Sequence, residues 1–335
     1  MGVMRSSEAV QPAISVRSAT ANRGSLSHLL LQIRRRWQLY LLLALPIAYI
    51  ITFAYIPMIG AQIAFRDYTV AGGVWGSEWV GFAHFERFFN SYQFTRLITN
   101  TISLGIYLLA VGFPIPIILA LSLHQVQALW FKKLVQMVTY APHFISTVVM
   151  VGLILQMLNP RFGILAQLTT ALNLPQANAM SRPELYQSIY VWTDIWQHMG
   201  FSAIIYLAAL TNIDPALHEA AVVDGASRFQ RIRHIDIPGI MPIATMLLIL
   251  NFGNFINIGF EKVLLLQNPV NTSVSEILDT YVYKIGLASP TLDFSYATAI
   301  GLFKGVIALL MVVVANYAVK KMGQAVKKMG QESLW

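Results

Sequence analysis

Six apolar stretches, each about as long as a bilayer is thick, recur along this chain and leave it one broad architecture. They span 38–62, 98–123, 136–157, 187–211, 240–266 and 296–319. Crossing the hydrocarbon core takes about 20 predominantly apolar residues in a helix. The pattern predicts an all-α, polytopic membrane protein with six transmembrane helices. Only 11% of the residues are charged, less than half the roughly 25% of a soluble domain. So little polarity cannot cover a water-facing surface. The fourth stretch is the least apolar, because Asp194, Gln197 and His198 sit among Trp192, Trp196 and Phe201.

Basic residues orient the spans. Arg5, Arg17, Arg23 and Arg34–Arg36 precede the first, and Lys132 and Lys133 lie between the second and third. Arg228, Arg231 and Arg233 lie between the fourth and fifth, and Lys320, Lys321, Lys327 and Lys328 follow the sixth. That is fifteen of the 23 Lys and Arg residues on one side, against seven on the other and Lys304 within the sixth span. The positive-inside rule places both termini in the cytoplasm, as an even number of spans requires. The net charge of +8 is therefore a topology signal facing membrane lipid, with no stripe suited to nucleic acid. Cys is absent, which removes disulfides, thiolate metal sites and Cys nucleophiles. The seven His residues are scattered with no His-x-x-x-His pair, so sequence spacing gives a transition metal little support.

Residues 1–33 carry no long apolar run and read as a disordered cytoplasmic tail, ahead of a membrane domain over 34–320. A cytoplasmic C-terminal tail over 321–335 follows. Ala318–Gln324 is repeated without change as Ala325–Gln331, a tandem duplication too short to sustain a coiled coil. The outer connections are longer. Residues 66–97 hold Trp75, Trp79, Phe82, Phe85, Phe88 and Phe89, suited to an interfacial belt or a small surface helix. Residues 158–186 read as turns around a short amphipathic piece.

The connection over 212–242 carries the most specific signal. Asp214 is a good N-cap and Pro215 suits the first helical position, so 215–223 is predicted helical, with small residues at Ala216, Ala220 and Ala221. Gly225 ends that helix by taking positive φ. A second helix is expected to stop before Pro238. Glu219-Ala220-Ala221, Asp224-Gly225-Ala226, Ile235, Pro238 and Pro242 resemble the "EAA" signature of binding-protein-dependent ABC importer permeases. Leu45-Pro46, Asn100-Thr101 and Ala141-Pro142 resemble the sugar-permease subfamily, of maltose type. Phe260–Pro269, Thr280–Tyr283 and Glu332–Trp335 resemble its polysaccharide and oligosaccharide branch.

That resemblance implies a type I ABC importer transmembrane fold in a bacterial cytoplasmic membrane. It implies a second homologous permease, two cytoplasmic ATPase subunits and an extracytoplasmic sugar-binding protein as partners. Glu219, Ala220, Ala221, Asp224, Gly225 and Ala226 would then couple to the ATPase, which binds ATP and Mg; this chain would hold no cofactor. No phosphate-binding loop, dinucleotide fingerprint or catalytic triad context occurs in it, so no enzyme chemistry is expected.

Polar groups inside spans are costly and face the bundle interior or a wet cavity. Asp194 and His198 share a helical face, with Gln197 beside them, and Asn251, Asn254 and Asn257 form a stripe. Trp196 and Phe201 offer aromatic faces to sugar C–H surfaces. By resemblance, these two helices wall the sugar path. Asp194 and Phe201 stand where the maltose-type pattern has Asn and Tyr, and Gln197 and His198 where it has smaller or apolar residues. Asn251 and Asn254 match. Glu261 and Lys262, near the outer end of the fifth stretch, are expected to snorkel toward headgroups rather than form a gate, and Lys304 to do the same unless it bonds the partner chain. The competing reading is an ion-coupled secondary sugar transporter with Asp194–His198 as a proton relay; a membrane scaffold would need no polar stripe.

Overall fold

The computed structural model describes residues 35–173 and 178–332, except the side chains of 318–332. The tail over 1–33 and the side chains of the tandem repeat therefore lie outside the described residues. Two compact units divide the chain, Met1–Gly60 and Ala61–Trp335, and every site discussed below belongs to the second.

Four helices are unbroken and apolar enough to cross a membrane: α1 (Trp37–Phe65), α3 (Phe94–Gln125), α9 (Arg228–Gly253) and α12 (Phe294–Glu332). Helix α7 (Tyr186–Thr211), 26 residues long, carries the polar positions read from the fourth stretch and is apolar enough only together with Pro215–Val223, to which it bends by 70°. Between α3 and α7 come α4 (Leu129–Tyr140), α5 (Thr147–Met157) and α6 (Ile164–Ala171).

The third expected span is broken. The segments Leu129–Phe144 and Thr147–Met157 meet at 105°. Pro142 leads a 3-10 turn over Ala141–Phe144, and Ser146 then caps the new helix by accepting from the Val149 N–H. A ring that cannot continue the ladder, followed by a good N-cap, is a local recipe for a corner. The predicted boundaries of the fifth span also shift. Helix α9 begins at Arg228 and ends at Gly253; residues beyond it turn into a separate helix, α10 (Phe260–Leu266).

Nor does the helix after Gly225 stop before Pro238. A π-type turn at Ile232–Asp236 immediately precedes that proline, and the rod continues through Pro238 and Pro242. The wider turn gives the proline ring room without ending the helix. At the other end of the chain, α12 continues helical through the tandem repeat to Glu332.

Small residues let these rods approach. A Cβ on Gly200 of α7 would run into the backbone of Thr139 in α4, and one on Gly105 would come within 2.8 Å of the Phe255 carbonyl. Close backbone approach at small residues is a usual way for membrane helices to pack. Buried side chains gather where α3, α5, α7 and α10 meet, around Leu104, Met150, Tyr190 and Val263. A second cluster, around Leu97, Phe88 and Ile300, joins α3 to α12 and to α2 (Ala83–Phe89).

The outer connections are built more firmly than a lipid belt. Arg66–Asp67 pairs antiparallel with Glu78–Trp79, and Phe65 stacks on Trp79 with ring centres 5.6 Å apart. Phe88 is buried against Phe94 and Phe303. Asn100 donates to the Ser273 and Glu276 carbonyls, and Thr101 accepts from the Leu278 N–H at the start of α11 (Leu278–Tyr283). Buried Glu276 is held by Arg96 at 2.7 Å and Lys284 at 2.8 Å.

Candidate functional site

A cavity of about 530 Å³ opens between α3, α7 and α9, within the range of small-molecule sites. Its wall is largely apolar, with polar groups at few points: Asp194, His198, Ser202 and Tyr206 from α7, and Asn251, Asn254 and Asn257 from α9 and the turn after it. Gly105 and Gly112 keep the α3 side open, and Phe201 supplies an aromatic surface. The Phe201 ring stacks flat on His143 at 4.0 Å, just before the corner in the broken third stretch.

The charge in this wall is compensated. Lys262 donates from Nζ to Asp194 Oδ1 at 3.2 Å, and its ammonium lies 5.0 Å from the Tyr190 ring centre. His198 Nδ1 lies 3.5 Å from the Asp194 carboxylate and 3.0 Å from its backbone carbonyl. Snorkelling is thus the wrong account of Lys262, which is buried because α10 turns it inward onto a carboxylate. Lys304 behaves alike: both oxygens of Asp279 accept from it, at 2.6 and 2.7 Å. A charge in an apolar setting is retained when it is paired.

Two residues expected along the path lie elsewhere. Gln197 is buried and donates from Nε2 to the Ile145 carbonyl at 3.1 Å, satisfying backbone freed at the corner. Trp196 is 45% exposed and does not line the cavity. At helical spacing, Asp194 and His198 share one face while Trp196 and Gln197 project to others.

The second candidate region is the connection after α7. Helix α8 (Pro215–Val223) begins where Asp214 accepts from the Ala216 N–H at 3.0 Å. It ends in a Schellman motif: Ala226 N–H donates to the Ala221 carbonyl at 2.8 Å and Gly225 N–H to Val222 at 3.0 Å. Gly225 takes φ +78°, a conformation that glycine adopts without a Cβ penalty. Ser227 and Gln230 then form a capping box that starts α9. The product is a rigid helical corner. Its surface leaves Leu217, Val222, Val223 and Phe229 exposed, Val223 by 87%, and Glu219 and Ala220 exposed among them.

Residues 112–328 match the family described as binding-protein-dependent transport system inner membrane components. The chain belongs to that family. Among curated proteins, this permease is 40% identical to the polygalacturonan/rhamnogalacturonan transport system permease protein YteP of Bacillus subtilis (strain 168), over 95% of this chain and 98% of that one. Among solved structures, it is similar to a bacterial ABC transporter involved in the import of the acidic polysaccharide alginate. That match has a TM-score of 0.81 at 38% identity, covering 88% of this chain and 98% of the other. A structure of bacterial alginate ABC transporter in complex with an alginate pentasaccharide-bound periplasmic protein matches with a TM-score of 0.80 at 38% identity, over 87% and 96%.

The resemblance read from Glu219 to Pro242 is therefore correct at the level of family and fold. What sequence spacing missed in this permease is the pairing of Asp194 with Lys262, 68 positions apart. The two charges were both visible; the turn at Gly253–Gly259 that brings them together was not.

Proposed function

We propose that this permease forms one half of the pore of an ATP-driven importer for oligosaccharides of an acidic polysaccharide, delivered by an extracytoplasmic binding protein. A second, similar permease would complete the pore, and two cytoplasmic ATPase subunits would dock at α8. The observation that carries the reading is the exposed helical corner over 215–231. An ATPase docked there accords with the family, and the exposed apolar residues of the corner supply a docking face. ATP-driven closure of the ATPases would move α8 and shift the bundle between two packed states.

The cavity supports the substrate class. A sugar hydroxyl meets the planar amides of Asn251, Asn254 and Asn257, and a sugar C–H surface meets Phe201. Lys262 and His198 offset the single carboxylate of the wall, so a carboxylated sugar meets no bare negative charge. The relatives' stated substrates, alginate and polygalacturonan/rhamnogalacturonan, point the same way. The pairing of Asp194 with Lys262 gives that carboxylate a structural partner, which favours this reading over an ion-coupled one.

The test is uptake of a labelled short galacturonate or mannuronate oligomer into proteoliposomes holding the assembled transporter. Uptake that needs both ATP and the binding protein, and resists competition by neutral maltooligosaccharides, is the expected result. Accumulation driven by an ion gradient without ATP would overturn the reading.

A further inference from the structure

Three metal-ligating side chains that are far apart in sequence converge at the base of α8. His124 comes from the end of α3, His218 from α8 and Asp236 from the π-type turn inside α9, and their ligand atoms lie within 4.8 Å of one another. His218 Nε2 approaches Asp236 Oδ1 to 3.2 Å, and His124 Nε2 approaches the same oxygen to 4.0 Å. Ligands of a tetrahedral zinc ion, bonded at 2.0–2.2 Å, are separated by about 3.3–3.6 Å. The His218–Asp236 pair, at 3.2 Å, is close to that spacing, the His124–Asp236 pair, at 4.0 Å, is wider, and all the ligand atoms lie within 4.8 Å of one another.

The polar accounting points to a missing partner. Asp236 is fully buried, yet its Oδ1 and the Nε2 of His218 are buried without a hydrogen bond; the two atoms are close but misaligned for one. The buried carboxylate oxygen presents lone pairs to that space, and so does the imidazole nitrogen in the tautomer protonated at Nδ1. The other oxygen, Oδ2, accepts from Gln125 Nε2 at 3.0 Å. Such an outer hydrogen bond orients a carboxylate ligand. The two histidine side chains keep about a fifth of their surface exposed, 23% and 21%, although the facing atoms His218 Nε2 and Asp236 Oδ1 are themselves buried.

We propose that His124, His218 and Asp236 bind a transition-metal dication of the zinc class. The donor set is two imidazoles and one carboxylate, which suits zinc and its spectroscopic substitute cobalt and is too nitrogen-rich for calcium or magnesium. An ion there ties the helix that carries Glu219 to the ends of two span helices. Nothing in this assignment depends on what the pore carries.

The experiment is Co²⁺ titration of the purified full transporter, followed by visible absorption and by metal analysis after Zn²⁺ competition. The expected result is a tetrahedral-type cobalt band saturating at one equivalent per copy of this chain and bleached by Zn²⁺. His218→Ala and Asp236→Asn should each weaken binding by about 100-fold or more, above the 10–100-fold typical of losing an outer partner. His234→Ala, in the same connection but outside the cluster, should keep the full equivalent. If Asp236→Asn fails to assemble, His124→Ala, at the solvent-facing edge, takes its place. Absence of the band in the wild type, or an undiminished equivalent in His218→Ala and His124→Ala, overturns the proposal.

Discussion

The cavity wall and the helical corner hold polar groups in opposite ways. In the wall, Asp194, Lys262 and His198 satisfy one another inside the span region. At the corner, Glu219 stands exposed beside Leu217, Val222 and Val223, and only the backbone is satisfied, through caps at both ends of α8. One region is complete in itself and the other leaves apolar and charged side chains open at its surface. Substitutions in the ion-paired part of the wall should therefore act on the stability of this chain, whereas side-chain substitutions at the corner that leave the backbone of Gly225 undisturbed should act on partnership and spare its folding.

Asp194→Asn is the strongest way to break that contrast. Removing one partner of a buried ion pair typically costs 3–5 kcal/mol, because the other charge stays buried. Asp194 keeps a face toward the cavity, so about 3 kcal/mol is expected. Thermal unfolding of the purified transporter would measure it. The double variant Asp194→Asn/Lys262→Met should regain most of the loss. A double variant as unstable as the sum of the singles would show that the two charges do not act as a pair.

At the corner the expected effect is smaller and falls on transport. Glu219→Ala should lower ATP-dependent uptake about 10- to 100-fold, the worth of one charge-assisted contact, with the melting temperature unchanged. Gly225 provides a sharper division. No heavy atom lies within 4 Å of a Cβ built there, so any cost is purely conformational. Gly225→Asn should be tolerated, since Asn adopts this region readily, whereas Gly225→Val should lose about 1–2 kcal/mol. Equal uptake by both variants would remove the corner from the coupling step.

How much of this was legible follows from which interactions are local. Asp214-Pro215 and Gly225 set the bounds of α8 through caps within a few residues, and these were readable directly. So was the all-helical membrane class, which needs only the lengths of the apolar runs. The break in the third stretch was marked by Pro142 and Ser146, but apolar content averaged over 136–157 hid it. The end of α9 at Gly253 was obscured in the same way by the apolar residues that follow. Misplacing that end sent Lys262 to the headgroups, when the turn returns it to Asp194. Gln197 could not be assigned from its helix alone, because the carbonyl it serves belongs to Ile145 on another element.

Asn251 and Asn254 stand between the two regions, since both line the cavity yet neither belongs to the ion-paired group. Asn251 donates from Nδ2 to the Leu247 carbonyl of its own helix at 2.9 Å, which leaves its amide oxygen free to accept. Asn251→Leu with Asn254→Leu should raise the KM for oligosaccharide uptake about tenfold, near 1.4 kcal/mol, in a transporter that still assembles. A fall in assembly with unchanged KM would move them into the structural group.

The smallest effect is expected at Trp196, and it tests the geometry of α7 most directly. The residue lies two positions from both Asp194 and His198, so a helix that turns those two into the cavity must turn Trp196 away from it. It is 45% exposed and does not line the cavity. Trp196→Leu should change stability by no more than about 0.5 kcal/mol, as exposed substitutions usually do. Phe201→Leu, one turn beyond His198 and facing the cavity, loses the aromatic surface and should weaken uptake measurably. A larger loss in KM at Trp196 than at Phe201 would mean that α7 presents its other face to the sugar.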